Sequence, residues 1–273
     1  LNNRIAFVLA ATQHGSMIVN RLDAHFKQDG SGGYGVGLSL LEQGHYEWGE
    51  IGIGARLLES RRAHFGDGVV AFDCGANIGT HSIPWAMLMR GWGSVVAIEA
   101  QERVFYALAG NIALNNCFNA KAVWGLVGRH KGAFRMPRLD HQQMASFGSV
   151  EALIREDGAP AEDVGQVVSA YGTVEGVTLD NMCGYTLGNS VADRVDLIKL
   201  DIEGMELAAL RGASVIVCKY HPVLIVEWLK VGMEPLVAML DKWGYKTFPF
   251  GMNLVAVHET DPTLENFYKG FVP

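Results

Sequence analysis

Short, continuously apolar runs separated by stretches with helical spacing set the pattern of this chain. Val69-Val70-Ala71-Phe72, Val95-Val96-Ala97-Ile98, Leu197-Ile198-Lys199-Leu200 and Val223-Leu224-Ile225-Val226 read as strands buried on both faces. Ala122 to Val127 predicts a further strand. Between them, helical spacing covers residues 49–64, with Ile51, Leu57 and Leu58 apolar and Arg61, Arg62 and His64 near the end. Helices are also predicted at about 79–90, at 102–115, from Met205 to Leu210 and from Pro235 to Trp243. Tyr245 to Phe250 and Leu254 to Val257, around Gly251-Met252-Asn253, predict an antiparallel pair. Strands alternating with helices imply a parallel sheet in a doubly wound α/β fold.

Two segments stand outside this alternation. Ile5 to Leu9 and Met17 to Val19, flanking Gln13-His14-Gly15, predict a hairpin, and the glycines from Gly30 to Gly37 predict a loop. Residues 1–48 are therefore read as an N-terminal hairpin and loop extension of a domain at 49–273. Within that domain, residues 129–177 carry Pro137, Pro160, several glycines and mixed charges, and predict a hairpin and helical insertion. Asn2-Asn3-Arg4 before Ile5 to Ala11 has the make-up of a signal peptide, but the apolar run is short and an edge strand is the better reading. The chain starts at Leu1 without a Met, so a trimmed start is expected.

Composition narrows the classes. The chain has 273 residues, 49% of them apolar and 19% charged, as a globular protein should. A formal net charge of −7 argues against nucleic-acid and anionic-membrane partners, which need a cationic surface. No apolar run approaches the roughly 20 residues that span a bilayer. Cys74, Cys117, Cys183 and Cys218 form no CxxC pair, which fits reduced thiols and a cytoplasmic location.

The candidate chemistry begins at Phe72-Asp73-Cys74-Gly75-Ala76-Asn77-Ile78-Gly79-Thr80-His81, which leaves a strand and opens a helix. Such a turn lies at the carboxyl edge of a parallel sheet, where ligands bind in open α/β folds. Gly75 and Gly79 allow close approach to the main chain. Glu99, at the end of the next strand, is placed to accept hydrogen bonds from ribose hydroxyls. A dinucleotide site uses G-x-G-x-x-G, and here Asn77 stands at the second glycine, where its side chain crowds a pyrophosphate. No P-loop is present. A ligand with ribose but no phosphate, S-adenosylmethionine (SAM), fits better, and Asp73 suits its cationic end. An NAD-dependent oxidoreductase and a non-catalytic nucleoside-binding module remain the alternatives.

Asp73-Cys74-Gly75-Ala76-Asn77-Ile78-Gly79, Ala97-Ile98-Glu99-Ala100, Thr178-Leu179-Asp180 and Ile198-Lys199-Leu200-Asp201-Ile202-Glu203-Gly204-Met205-Glu206 resemble the motif series of the FkbM-type SAM-dependent methyltransferases over about residues 50–260. The resemblance implies a seven-stranded, mostly parallel, Rossmann-like class I methyltransferase sheet with an antiparallel last strand. It also implies methyl transfer, typically to a hydroxyl of a sugar or natural product. Asp73, Gly75, Gly79 and Glu99 then correspond to cofactor-contacting positions. Asn77 and Asp201 complete the predicted cofactor set.

Asp201 is the first candidate base for an alcohol acceptor, followed by Glu227 at a strand end and His221. Asp201, Glu203 and Glu206 also suit a helix start for structural reasons. Asp201 and Glu203 with Asp180 have the oxygen donors for Mg²⁺, but no spacing requires an ion, and no metal is expected. His81 is placed on the helix after the glycine turn. Asn111 and Asn115 read as helix-end hydrogen bonding. Tyr46, Trp48 and Trp124 read as packing residues or as aromatics over a ligand. The acceptor is a small molecule or glycan, and residues 1–48 and 129–177 are expected to shape its pocket.

Overall fold

The computed structural model describes residues 5–27, 32–151, 168–182, 186–187, 190–191 and 194–268. Asn2 to Arg4, Cys183 and the part of the expected insertion at 152–167, where helix was predicted, lie outside the described residues.

The chain opens with a hairpin, β1 (Phe7–Thr12) and β2 (Gly15–Asn20), then β3 (His25–Phe26), β4 (Gly33–Tyr34), α1 (Val36–Gln43) and α2 (Trp48–Phe65). The core follows as β5 (Val69–Cys74), α3 (Ser82–Leu88), β6 (Gly93–Glu99), α4 (Glu102–Leu114) and β7 (Ala120–Trp124). A side sheet comes next, from β8 (Leu126–Val127), β9 (Gly132–Leu139) and β10 (Val168–Val177). After α5 (Leu179–Met182), β11 (Thr186–Leu187) and β12 (Ser190–Val191), the core resumes with β13 (Leu197–Leu200), α6 (Glu206–Arg211), α7 (Ser214–Tyr220) and β14 (Val223–Glu227). It closes with α8 (Met233–Lys242), β15 (Tyr245–Phe250), β16 (Asn253–His258) and α9 (Leu264–Tyr268).

The main sheet has seven strands in the order β15-β16-β14-β13-β5-β6-β7. Strands β14, β13, β5, β6 and β7 are parallel, and β16 runs antiparallel to both of its neighbours. Alternate residues feed two cores. Val69, Ala71, Val95, Leu197 and Ile225 face one layer with α2 and α3, while Phe72, Val96, Ile198, Leu200 and Leu224 face the other with α6, α7 and α8. All of β5 is buried, which explains its unbroken apolar run. The strand order reverses between β5 and β13, so the crevice for a ligand opens at the carboxyl ends of these two strands.

Three boundaries differ from the sequence reading. The predicted helix at 79–90 starts only at Ser82, because Gly79 holds φ at +98° and the chain turns through His81 first. The predicted strand from Ala122 to Val127 divides at Gly125: β7 stays in the main sheet, and β8 pairs in parallel with β10. A Cβ on Gly125 would stand 3.0 Å from a methyl of Val177, so glycine is what lets the two strands approach. The helix predicted from Pro235 begins two residues earlier, at Met233, which leaves Pro235 in the first turn, where its missing N–H costs nothing.

The N-terminal hairpin is docked by α4. Asn111 accepts the Ile18 N–H at 2.6 Å and donates to the Ile18 carbonyl at 3.3 Å, and Asn115 does the same to Ser16 at 3.1 and 2.9 Å. Each amide therefore acts as a short strand edge toward β2, rather than serving the helix end alone. Asn111 also donates to the Ile78 carbonyl at 2.8 Å, tying the hairpin to the glycine turn. Asp23, buried after the hairpin, accepts the N–H of Gly37 at 3.1 Å and of Phe147 at 3.0 Å. That one carboxylate joins the N-terminal segment to the insertion, and burial raises it to about 6.

Candidate active site

A cavity of about 520 Å³ opens at the carboxyl edge of the sheet, a size typical of small-ligand sites. Gly75, Asn77, Glu99, Asp201 and Glu227 of the predicted set line it. Tyr34 and Tyr46 from the N-terminal segment close one side, and Met136 and Ser149 from the insertion close another.

The cofactor half is built on the turn after β5. Gly75 has φ +79°, and a Cβ there would stand 1.8 Å from the Asp201 carbonyl oxygen. Its smallness thus first serves the approach of the β13 end to the turn. Asn77 has φ +50°, a left-handed position that Asn tolerates well. Its N–H donates to Glu99 Oε2 at 3.0 Å, while the Gln101 N–H donates to Oε1 at 2.7 Å. Two main-chain donors fix the Glu99 carboxylate, and each oxygen keeps acceptor capacity for a ligand hydroxyl. Burial raises Glu99 to about 7 against the pull of these hydrogen bonds.

Asp73 and Gly79 are not among the residues that line the cavity. Asp73 is sealed beneath the turn, where it accepts a hydrogen bond from the Ser82 hydroxyl. Its other oxygen has no hydrogen-bond partner among the described residues. A Cβ on Gly79 would meet Leu108 at 3.0 Å and Ile83 at 3.2 Å, so this glycine serves helix packing. His221 is a correction. It sits in the left-handed cap of α7, before β14 starts, and so at the opposite edge of the sheet from the β14 carboxyl end. There its ring stacks on His258 with centroids 3.5 Å apart. It cannot reach an acceptor in the crevice.

The other half of the cavity is dense with charge. Lys199, 1% exposed, lies on β13 directly across from Asp73. Its ammonium is 2.9 Å from Asp201 and 3.5 Å from Glu50. Burial alone would lower it, but Asp201, Glu50, Asp73 and Glu47 outweigh that and hold it well above its ordinary value. Glu227 is raised to about 8, by burial and then by Asp201, Glu203 and Glu206. Glu203 has φ +55° and pairs with Lys230 at 3.1 Å. Glu47, Asn77 and Glu203 all hold left-handed backbone around one cavity, the kind of strain that collects at binding sites.

Two motif acids are structural. Glu206 accepts the N–H groups of Ile202 and Gly204, at 3.0 and 3.1 Å. Asp180 caps α7 by accepting from Val215 at 3.2 Å and Ile216 at 2.9 Å, away from any ion that Asp201 and Glu203 would share. Tyr46 lines the cavity, whereas Trp48 is half exposed and Trp124, which is not among the lining residues, donates to the Ala100 carbonyl at 3.0 Å. Sequence reasoning missed Lys199, Glu47, Glu50 and Lys230. A lysine inside an apolar strand was the available sign, since a buried ammonium demands partners.

The geometry defines a class: an open α/β fold with a cavity at the carboxyl edge of its sheet, lined by the first glycine turn and a neighbouring acidic strand end. A family model, the methyltransferase FkbM domain, matches residues 73–247. The chain belongs to that family of SAM-dependent methyltransferases, and the nicotinamide alternative falls with the match. S-adenosylmethionine is the cofactor, and Glu99, the Gly75–Asn77 main chain and the cavity volume fit it.

Among solved structures, the chain is similar to methyltransferase FkbM from Methylobacillus flagellatus KT, with 16% identity and a TM-score of 0.44 over 70% of this chain and 43% of that one. The chain thus spans less than half the length of that protein. It is also similar to precorrin-6y C5,15-methyltransferase from Geobacter metallireducens GS-15, with 14% identity and a TM-score of 0.43 over 79% of this chain and 89% of that one. A SAM-dependent methyltransferase from Aquifex aeolicus aligns with 11% identity and a TM-score of 0.35 over 78% and 97% of the two chains. No curated protein matches by sequence. Among the described residues, no helix is long and apolar enough to cross a membrane.

Proposed function

We propose that the protein methylates a hydroxyl oxygen of a sugar or other small natural product. The observation that carries this reading is the pair Asp201 and Glu227, at the ends of adjacent strands β13 and β14, lining the same cavity as Glu99 and the glycine turn. SAM supplies, when bound, a methyl group already activated on a sulfonium. The chain has therefore chiefly to hold an acceptor oxygen in line and remove its proton.

In this reading Glu99 grips the ribose and the turn main chain supports the nucleoside. Asp201, held by Lys199, orients the acceptor. Glu227 takes the hydroxyl proton, and a group raised to about 8 keeps that proton firmly once it has it. Tyr34, Tyr46 and the insertion select the acceptor. The acidic lining at Asp201 and Glu203 suits a neutral polyhydroxylated acceptor better than a phosphodiester backbone, which speaks against nucleic acid. Cys74, Cys117 and Cys218 are free, in keeping with a cytoplasmic setting.

The test is turnover of SAM against a panel of sugars and hydroxylated natural products, with the product identified by NMR. A new O-methyl resonance that Glu227→Gln abolishes supports the reading. Methyl found on nitrogen or carbon in the best product sinks it.

A further inference from the structure

Beside the acceptor half of the cavity lies a cluster that the proposed methyl transfer does not use. Glu47 and Glu50 stand at the start of α2, three residues apart, and His81 comes from the glycine turn. His81 Nε2 is 3.3 Å from Glu50 Oε1 and 3.8 Å from Glu47 Oε2. One donor atom from each residue fits within 4.8 Å of the others. His81 is 4% exposed; its Nε2 meets Glu50 Oε1, and Oε1 meets Lys199, only at ion-pair distance, without a hydrogen bond of good geometry among the described residues. A buried imidazole nitrogen without a hydrogen bond, aimed at two carboxylates, is costly unless something completes it.

We propose that Glu47, Glu50 and His81 bind a first-row divalent cation, of the Mn²⁺ or Zn²⁺ type. One imidazole nitrogen and two carboxylate oxygens form a mixed donor set that suits these ions better than Ca²⁺. Asn253 already donates to Glu50 Oε2 at 2.6 Å, which turns Oε1 toward His81. Lys199 approaches the same Oε1 at 3.5 Å, so ion and ammonium share that carboxylate. Glu47 and His81 line the cavity, so further ligands of an ion held there would come from it. That one of them is an acceptor oxygen rests on the O-methylation reading; the binding of the ion does not.

The decisive experiment titrates metal-stripped, full-length protein with Mn²⁺ and with Zn²⁺ by calorimetry, without SAM or acceptor. Pulsed electron paramagnetic resonance of the Mn²⁺ sample then reads nitrogen ligation. We expect one saturable ion per chain and an imidazole nitrogen coupling that disappears in His81→Gln. Losing even an outer partner of a metal ligand weakens binding by about 10–100-fold, so Glu47→Gln should weaken it at least that much. Circular dichroism checks that each variant is folded. If His81→Gln fails to fold, the wild-type nitrogen coupling and Glu47→Gln carry the comparison, because Glu47 is partly exposed. No saturable binding of either ion up to ~1 mM overturns the proposal. So does binding that the folded variants leave unchanged, or Mn²⁺ bound without nitrogen coupling. None of these failures touches the methyl-transfer reading, which is tested separately by turnover.

Discussion

Lys199 holds its ammonium 2.9 Å from Asp201, two residues along the same chain, at the point where β13 ends and the cavity begins. A lysine and an aspartate at i and i+2 of an extended segment share one face of a sheet, so the pair needs no bend in the chain. The face it occupies is the one that packs on α2, where Glu50 receives the same ammonium.

Replacing Lys199 with Met should therefore destabilise the fold by about 3–5 kcal/mol, the usual effect of stranding a buried carboxylate by removing its partner. Urea denaturation measures this. A loss below about 1 kcal/mol would mean that water already solvates Asp201 and Glu50 in the folded chain.

Glu227 sets an expectation for activity against pH. Its carboxyl is raised to about 8, and only the ionised form accepts a proton. The kcat/KM should rise through an apparent pKa near 8 and level off above it, and Glu227→Gln should lose about 100-fold or more at the plateau. A profile that is flat from pH 6 to 9 in the wild type assigns the proton to another group.

Stability should follow pH in the opposite sense. Glu99 and Glu206 are each raised to about 7, by burial first, from an ordinary value of 4.5. The folded chain holds these protons more tightly than the unfolded chain, so the contribution is fully present below about 4.5 and is lost as pH rises through 7. The ligand-free protein should melt at lower temperature at pH 8 than at pH 5.5, as read by calorimetry. SAM should reverse part of the loss at pH 8, because ionised Glu99 is the better acceptor for ribose. Glu99→Ala should weaken SAM binding by about 1–3 kcal/mol.

Gly75→Ala should be among the most damaging single changes in the chain. The new Cβ would stand 1.8 Å from the Asp201 carbonyl at φ +79°, so the crossing of β5 and β13 must open. Strain and overpacking together cost on the order of 3 kcal/mol, and SAM binding should vanish with them. A folded variant with unchanged affinity would contradict the close approach of these two chain segments.

Asn111→Ala removes the amide that joins β2, α4 and Ile78. The loss of three hydrogen bonds at a fully buried side chain should cost about 1–3 kcal/mol. Hydrogen exchange at the Ile18 amide should accelerate well beyond that of β5. Equal exchange in variant and wild type would show that the hairpin is held elsewhere.

The core of the fold was legible along the chain because its strands are buried on both faces, and such strands announce themselves as unbroken apolar runs. The turn from Asp73 to Gly79 and the acid at Glu99 were legible for a similar reason: both follow directly from where a strand ends. What local pattern could not decide is which residues meet from distant parts of the chain. His221 and Glu227 bracket the same strand, yet a parallel strand sends its two ends to opposite edges of the sheet, and only one edge holds the crevice. Gly75 looked like room for a ligand, and the sheet uses that room first for the Asp201 carbonyl. Glu47 and Glu50 carry no local signal that sets them apart, and the packing of α2 against β13 and the glycine turn brings them to Lys199 and His81. The sequence by itself determined the sheet, the glycine turn and the acidic strand ends, because these depend on burial and periodicity within short segments. The tertiary structure decided which carboxylates share a site, because charges as far apart in the chain as Glu50 and Lys199 become neighbours only when the helix and strand that carry them are packed together.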